Sequence, residues 1–222
     1  MRFSIQVSDD LKSKCPSFKG CAITATVTNT SYSAELWDRI HHFIEDYRNR
    51  YTADSIKDIP SIQATRIAYK KCGKDPSRYR PSGEALCRRI IKGMDLYQID
   101  SMVDLVNLAS IAYGYSIGGF DADKIEGNSL ILGIGKANEP YEGIGRGPLN
   151  IEGLPVYRDV IGGIGTPTSD NERTKMDINT HHFLGLVNGY DGNTKTIQKT
   201  ILLMKELMEE FCEGKDFEIM EY

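Results

Sequence analysis

Polar side chains of several chemical kinds crowd into a short loop directly after the turn Gly162-Gly163-Ile164-Gly165. They carry hydroxyls, a carboxylate, an amide and a guanidinium, and they are Thr166, Thr168, Ser169, Asp170, Asn171, Arg173 and Thr174. Such a loop can offer backbone N–H groups, a proton acceptor and a bidentate cation to a polar ligand. We therefore expect a ligand-facing turn over residues 162–175, in which Asp170 orders water as a catalytic residue while Ser169 and Arg173 bind the substrate. In the alternative interpretation, Arg173 pairs with Asp170 only to brace the turn.

Two adjacent glycines, Gly118 and Gly119, open a predicted strand earlier in the chain. A strand without side chains at this point lets a ligand or another backbone approach closely. Asp121 follows almost at once and adds a carboxylate beside the glycines. We therefore expect Gly118, Gly119 and Asp121 to contribute to substrate binding.

Basic residues are concentrated between positions 66 and 92, although the whole chain carries a net charge of −4. Nine Lys and Arg residues stand there against two acidic residues, which gives this segment a charge of +7. A chain segregated in this way can present a basic face to phosphate while it stays acidic overall. The candidate RNA-binding residues are Arg78, Arg80, Arg88 and Arg89; in the alternative interpretation they belong to solvated helix faces.

The elements that position these groups follow from hydrophobic periodicity. Alternating apolar and polar residues predict strands at 3–7 and 20–29, and apolar stripes predict helices at 33–51, 60–72 and 193–214. Thirteen of the 21 glycines fall between positions 114 and 165, a texture typical of β-sheet with tight turns.

A further helix is predicted just before the glycine pair, with Ser101 and Asp104 spaced as in a capping box. Its apolar residues recur at helical spacing, so one side can be buried while Asn107 points an amide at its neighbour. Gly114 ends the helix, because a residue without Cβ adopts the left-handed conformation of a helix end. The whole pattern predicts an α+β fold, a β-sandwich-like sheet with helices packed around it, in one domain over residues 1–222.

Membrane proteins and secreted proteins are not expected from this sequence. No apolar run reaches ~18 residues, the length of a membrane span. The N-terminus turns polar after Val7, unlike the core of a signal peptide. We therefore expect a cytoplasmic protein that has no membrane partner.

Neither a metal nor a cofactor is expected. The five cysteines form an odd set without a C-x-x-C pair. Adjacent histidines, at 41–42 and 181–182, diverge in direction along a helix or strand and do not readily chelate together. The string GIGRG at 143–147 lacks the last glycine and the strand–helix context of a dinucleotide fingerprint.

The string VDLVNLASIAYGYSIGGFDADKIEG at residues 103–127 resembles the editing module, or B3/B4 domain, of the phenylalanyl-tRNA synthetase β subunit. In that family the pattern reads V-D-[small or β-branched]-x-N, an apolar helix, then Gly-x-P-[IM]-x-[GA]-[FY]-D. Asn107 falls on the family's pocket asparagine, and Phe120-Asp121 falls on its aromatic–Asp pair. Gly118 stands where the family usually has a His, and Val106 stands where a Thr often precedes the asparagine.

Further strings at 141–159 and 164–176 resemble freestanding relatives of this module, so the resemblance covers roughly residues 60–190. The synthetase module hydrolyses tyrosine that has been mistakenly esterified to the phenylalanine tRNA, which is an editing reaction. The resemblance therefore implies a trans-editing factor that deacylates misacylated tRNA, with Asn107 orienting the substrate or water as a catalytic residue. The class II synthetase core is absent from the sequence, which argues against aminoacylation.

The implied partners are the aminoacylated 3′ end of a tRNA and its amino acid, with no role for DNA. An aminoacyl ester is already reactive, so the site needs only positioned water and a donor to the oxyanion. Two alternatives remain open: a non-catalytic module that binds an amino acid, a small metabolite or RNA in the same pocket, and hydrolysis of an unrelated ester or amide. Because the family His is replaced at Gly118, tyrosine specificity is not carried over.

Overall fold

Two four-stranded β-sheets stack on one another, and helices cover the outer face of one of them. This computed structural model describes residues 3–222. The predicted α+β class, with helices packed around a β-sandwich-like sheet, is confirmed. Every helix within the described residues is too short or too polar to cross a membrane.

The bounds of the elements lie close to those predicted for the strand at 20–29 and for the helices at 33–51, 60–72 and 193–214. The helices are α1 (Asp9–Lys14), α2 (Ala34–Arg50), α3 (Pro60–Cys72), α4 (Ser82–Ile91), α5 (Ser101–Tyr113) and α6 (Thr194–Phe211). The strands are β1 (Ser4–Val7), β2 (Lys19–Thr26), β3 (Ile117–Asp121), β4 (Ser129–Ile134), β5 (Glu142–Gly143), β6 (Gly147–Pro148), β7 (Pro155–Arg158), β8 (Gly163–Gly165), β9 (His182–Gly189) and β10 (Lys215–Glu221).

The two sheets differ in how their strands pair. The first sheet has the order β1-β4-β7-β8, and only its β1–β4 pair is parallel. The second sheet has the order β10-β2-β9-β3 and is antiparallel throughout. Strands β5 and β6 form a separate two-stranded hairpin. The glycine pair of β3 therefore lies at one edge of the second sheet.

Two apolar layers hold this arrangement together. Between the sheets, Leu130 and Leu132 of the first sheet share a cluster with Leu184 and Leu186 of the second. On the other face of the second sheet, helices α2, α4, α5 and α6 pack against residues such as Phe183. Burying each such side chain stabilises the fold by about 1.5–3 kcal/mol. The second sheet is therefore covered on both faces.

The helix ends follow local rules, with one correction. Ser33 caps α2 by accepting from the backbone N of Leu36 at 3.3 Å, and Gly114 ends α5 with a left-handed φ of 75°. The capping box predicted from Ser101 to Asp104 is wrong by one position, because Asp100 is the N-cap and accepts from Val103 N at 2.8 Å. Asp104 is thereby free for a different set of partners.

Asp104 joins α5 to α2 through a buried hydrogen-bonded carboxylate. Its Oδ2 accepts from the indole Nε1 of Trp37 at 2.7 Å, and its Oδ1 accepts from the backbone N of Ile99 at 3.0 Å. Burial raises the pKa of Asp104 to about 6, against the lowering effect of the Ile99 and Trp37 donors. The carboxylate thus fixes the connection between α4 and α5 to the helical layer.

Replacing Asp104 with Ala should lower the free energy of unfolding by about 2–4 kcal/mol, because the buried donor of Trp37 and the part-buried donor of Ile99 lose their acceptor. Urea denaturation at neutral pH measures this change. Asp46→Ala, at an exposed position of α2, is the control and should alter stability by no more than about 0.5 kcal/mol. Equal stabilities for the two variants would show that Asp104 does not anchor the connection.

Candidate functional site

A cavity of about 700 Å³ opens between α5, the edge strand β3 and the loop after β8. Most of its wall is apolar, and its polar groups are few. The lining residues are Ser31, Ser82, Leu86, Ile99, Asp100, Val103, Val106, Asn107, Ser110, Ile117, Gly119, Ile144, Thr166, Ser169, Asp170, Lys175, Met176, Asp177 and Ile178. An apolar cavity with a few convergent polar groups is the usual form of a ligand site.

One face of α5 forms a wall of this cavity. Val103, Val106, Asn107 and Ser110 line it together, because residues three and four apart share one side of a helix. The opposite face of α5 enters the helical core. The amide of Asn107 has no hydrogen-bond partner within residues 3–222, so it is available to a ligand. Asn107 thus lies on the cavity wall, and its amide is not hydrogen-bonded to any residue that the structure describes.

Asp170 presents a carboxylate to the same cavity. The backbone N of Gly119 donates to its Oδ2 at 3.1 Å, and no cation of residues 3–222 forms an ion pair with it. Burial raises the pKa of Asp170 to about 7, and the Gly119 donor offsets this only in part. A carboxylate that titrates near neutrality in a cleft is suited to general acid–base chemistry.

Glycines make the room that Asp170 occupies. A Cβ at Gly165 would lie 2.5 Å from the ring of Phe120 and 2.9 Å from Oδ1 of Asp170. A Cβ at Gly118 would lie 2.7 Å from the same ring. Since Phe120 is fully buried between the sheets, it cannot easily move aside. The glycines of β3 and β8 therefore let the carboxylate reach the backbone of β3.

The loop that carries Asp170 is held by a dense set of hydrogen bonds. The hydroxyl of Thr166 accepts from the backbone N of Thr168 and of Ser169, at 3.2 and 3.1 Å. The hydroxyl of Tyr141 donates to the Ser169 carbonyl at 2.7 Å, and the backbone N of Ile144 donates to the Asp170 carbonyl at 3.0 Å. Asp170 is therefore presented by a rigid turn.

A basic groove of about 420 Å³ continues from the cavity. We use this name for the surface whose cationic residues are Arg80, Arg88, Arg89, Lys92 and Arg146. No acidic residue contributes to its lining within the described part of the chain. The groove and the cavity share five residues, Ser82, Leu86, Ile99, Val103 and Asn107. Asn107 therefore stands where the apolar cavity meets the positive surface.

Glu84 forms ion pairs with arginines of the basic groove and of its surroundings. Its side chain is fully buried, and it pairs with Arg66 at 2.9 Å, with Arg88 at 2.7 Å and with Arg80 at 3.8 Å. One carboxylate shared among three guanidinium groups leaves a surplus of positive charge. The pairs fix the arginines in place, whereas the surplus stays available to an anion.

The comparisons with known proteins agree with this architecture. The family model described as B3/4 domain matches residues 64–222, which is most of the chain. The chain belongs to the B3/4 domain family. The match begins within α3, contains nearly all the residues of the cavity and the groove, and confirms the family resemblance of residues 103–127.

A solved structure shows the same fold as this B3/4 domain protein. It is an N-terminal fragment of the phenylalanyl-tRNA synthetase β subunit from Pyrococcus horikoshii, with 13% sequence identity and a TM-score of 0.50. The alignment covers 100% of this chain and 54% of that chain, so this chain spans about half the length of the fragment. The search of curated proteins found no match. The B3/4 chain is therefore related in fold to a domain of a tRNA synthetase.

Several residues predicted for the site lie outside the cavity of the B3/4 domain. Arg173 donates to Oδ1 of Asp159 at 2.8 Å and to the Lys124 carbonyl at 3.1 Å, so the pairing with Asp170 that the sequence suggested is wrong. Asp121 is buried at the end of β3, where it accepts from Thr180 Oγ1 at 3.0 Å. These contacts tie both side chains to neighbouring elements of the fold, and their predicted roles in substrate binding stay predictions.

Some of the remaining predicted residues line the cavity or the groove, and others lie outside both. Gly119 and Ser169 line the cavity, whereas Gly118 faces the Phe120 ring between the sheets. Arg80, Arg88 and Arg89 line the basic groove, as the charge pattern favoured. Arg78 lies outside it, with its guanidinium 5.6 Å from the ring centre of Tyr79. Their predicted roles in binding stay predictions.

Other lining residues of the B3/4 cavity were missed. Val103 and Ser110 share a helical face with Asn107, and that spacing was a readable signal. Ile144 and Arg146 come from the β5–β6 hairpin, and nothing local in the sequence indicates where such a hairpin docks. Among residues 3–222, no group of three or more His, Cys, Asp or Glu side chains has the geometry of a metal site.

The raised pKa of Asp170 makes stability depend on pH in a defined direction. Its folded value of about 7 lies above the ordinary value of 3.8, so the folded protein holds this proton more tightly than the unfolded chain does. The contribution to stability is complete below about pH 4 and is lost as the pH rises through about 7. At about pH 8, Asp170→Asn should therefore be more stable than the wild type by about 2–4 kcal/mol, and at pH 4 it should be equal.

Urea unfolding at a series of pH values measures this difference directly. Asp46→Asn, at an exposed position of α2, serves as the control and should follow the wild-type pH dependence. A stability gain in Asp170→Asn that stays the same from about pH 4 to pH 8 would contradict the burial of an ionising carboxylate.

Proposed function

We propose that this B3/4 domain protein is a trans-editing factor that hydrolyses the ester bond of misacylated tRNA. The observation that carries this proposal is the position of Asp170, whose carboxylate titrates near pH 7 in an apolar cavity that opens into a basic groove. Membership in the B3/4 family and the fold shared with a phenylalanyl-tRNA synthetase fragment support the same substrate class. The protein acts in the cytoplasm in this proposal.

The proposed reaction needs only groups that face the cavity. The ionised carboxylate of Asp170 takes a proton from a water molecule, whose oxygen attacks the acyl carbon of the ester. The amide of Asn107 donates to the oxygen that becomes negative in the tetrahedral intermediate. The ester C–O bond then breaks, and the ribose oxygen takes up the proton. The products are a free amino acid and a tRNA with a free terminal hydroxyl.

The division of the site into two parts matches the two parts of such a substrate. The apolar cavity suits the side chain of an amino acid, and the adjoining groove suits the phosphates of an RNA end. Asn107 lies at their junction, where the ester would be. We propose that residues 1–222 act as one domain, since β10 near the C-terminus pairs with β2 near the N-terminus.

A non-catalytic binding module is the second candidate. The mostly apolar cavity wall favours it, because such a wall also suits an amino acid or a metabolite that is held without reaction. In this version Asp170 and Asn107 contribute affinity only. The two functions separate in a turnover assay, because a binding module releases its ligand unchanged.

Deacylation of a panel of correctly and incorrectly charged tRNAs tests the proposed function. Asp170→Asn should lower turnover by about 10²-fold or more, and Asn107→Ala by about 10–10³-fold, while both variants stay folded. The wild-type rate should rise with pH and level off above about pH 7, because only the ionised carboxylate accepts a proton.

Asp46→Asn is the control variant and should keep the wild-type rate and pH profile. Full activity of Asp170→Asn would remove this residue from the mechanism. If no charged tRNA of the panel is hydrolysed but one is bound, the second candidate function is correct.

Affinity for tRNA should fall steeply with salt, since each phosphate contact adds about 0.7 to the log–log slope on single-stranded RNA. Arg80→Glu combined with Arg146→Glu should lower that slope by about 1.4 and weaken binding at low salt. Binding isotherms at several salt concentrations measure both effects.

Lys195→Glu combined with Lys199→Glu changes the net charge equally, at exposed positions of α6 outside the groove, and is the matched control. An equal loss of slope in both double variants would indicate a general charge effect instead of contacts in the groove.

A further inference from the structure

The connection between α4 and α5 carries an exposed aromatic ring that lines the basic groove. Tyr97 is 54% exposed, and it lines the groove together with Met94 and Ile99. Tyrosine combines an apolar ring with a polar hydroxyl, and it is enriched at binding interfaces. Tyr97 was not among the residues that the sequence indicated for RNA binding.

A guanidinium group is already stacked on this ring. The Cζ of Arg89 lies 3.8 Å from the centre of the Tyr97 ring, and the Nε of Arg89 donates to the Asp95 carbonyl at 2.6 Å. The backbone of the connection is fixed further along, where Ile99 N donates to the buried Asp104. The two planar groups therefore form a preorganised platform, which we call the Arg89–Tyr97 platform.

We propose that the basic groove is a nucleoside-phosphate subsite in which the Arg89–Tyr97 platform stacks the terminal base of an acylated RNA. Aromatic and guanidinium planes are the surfaces on which proteins stack unpaired bases. Arg80, Lys92 and Arg146 bind the adjacent phosphate by charge. The inference rests on the proposed function for the identity of the acyl group, but the base-stacking step stands on the platform itself.

The cavity, Asn107 and the Arg89–Tyr97 platform offer one place each for the acyl group, the ribose and the base of an acylated nucleoside. The acyl group lies in the apolar cavity, the ribose lies at the junction beside Asn107, and the base lies on the platform. Because the platform accepts any base that reaches it, selectivity for an RNA end comes from the joint occupation of the cavity and the groove. A free acyl nucleotide offers the same chemistry in a smaller molecule.

Binding of unacylated probes tests the subsite without any turnover. The probes are the trinucleotide CCA, which is the terminal sequence of tRNA, and adenosine monophosphate, each titrated into the full chain and followed by chemical-shift changes. Tyr97→Ala should weaken CCA binding by about 5–150-fold, the range that base stacking supplies. Tyr97→Phe should keep wild-type affinity, because the stacking ring remains.

Leu202→Ala, which removes an exposed apolar side chain from α6, is the control and should leave the affinity unchanged. Tyr97 is exposed, so its variants should keep the wild-type melting temperature, which confirms that they are folded. Wild-type affinity in Tyr97→Ala, or no CCA binding by the wild type, overturns the subsite. Tighter binding of CCA than of adenosine monophosphate identifies an RNA end as the source of the base, and equal binding identifies a free nucleotide.

These outcomes are independent of the proposed hydrolysis. If the protein binds CCA through Tyr97 but hydrolyses no charged tRNA, the subsite stands and the proposed function fails. If charged tRNA is hydrolysed with the same KM in Tyr97→Ala and in the wild type, the proposed function stands and the subsite fails.

Discussion

The hydrogen bond from Gly119 N to the carboxylate of Asp170 is the contact on which the site depends. A carboxylate in apolar surroundings is costly unless it is hydrogen-bonded or holds a proton, and among residues 3–222 this one has a single backbone donor. Its pKa near neutrality follows from that imbalance. The contact exists only because Gly165 leaves room beside the buried ring of Phe120. The absence of a side chain at Gly165 therefore affects the pKa of Asp170 as well as the backbone conformation.

Helix α5 links the cavity to the stacking platform. One face carries Asn107 into the cavity, and Asp104 on another face binds both Trp37 of α2 and the backbone of Ile99. Since Ile99 belongs to both the cavity and the groove, a single buried carboxylate positions the wall that the two share. Of these two residues of α5, Asp104 holds the structure together and Asn107 faces the cavity.

The sequence predicted what depends on local pattern, and it failed where a partner is distant along the chain. Helix ends at Ser33 and Gly114 follow from capping chemistry that acts over a few residues. Proximity in sequence offers a pair of Arg173 with Asp170 as an alternative interpretation, yet the partner of Arg173 is Asp159 across the fold. The docking of the β5–β6 hairpin, which brings Arg146 to the groove, is likewise a product of tertiary packing.

The net charge of a sequence segment also does not predict which of its cations share one surface. The basic segment 66–92 suggests a continuous positive face, but the structure buries Glu84 among three of its arginines and leaves Arg78 outside the lining of the groove. Arg146, far along the chain, completes the groove instead. The ion pair with the buried Glu84 holds Arg88 in a defined position, at a cost in side-chain entropy, whereas Arg146 is exposed. Under the proposed function, the fixed Arg88 helps to place the ester bond accurately, and the exposed Arg146 attracts a flexible RNA end by charge.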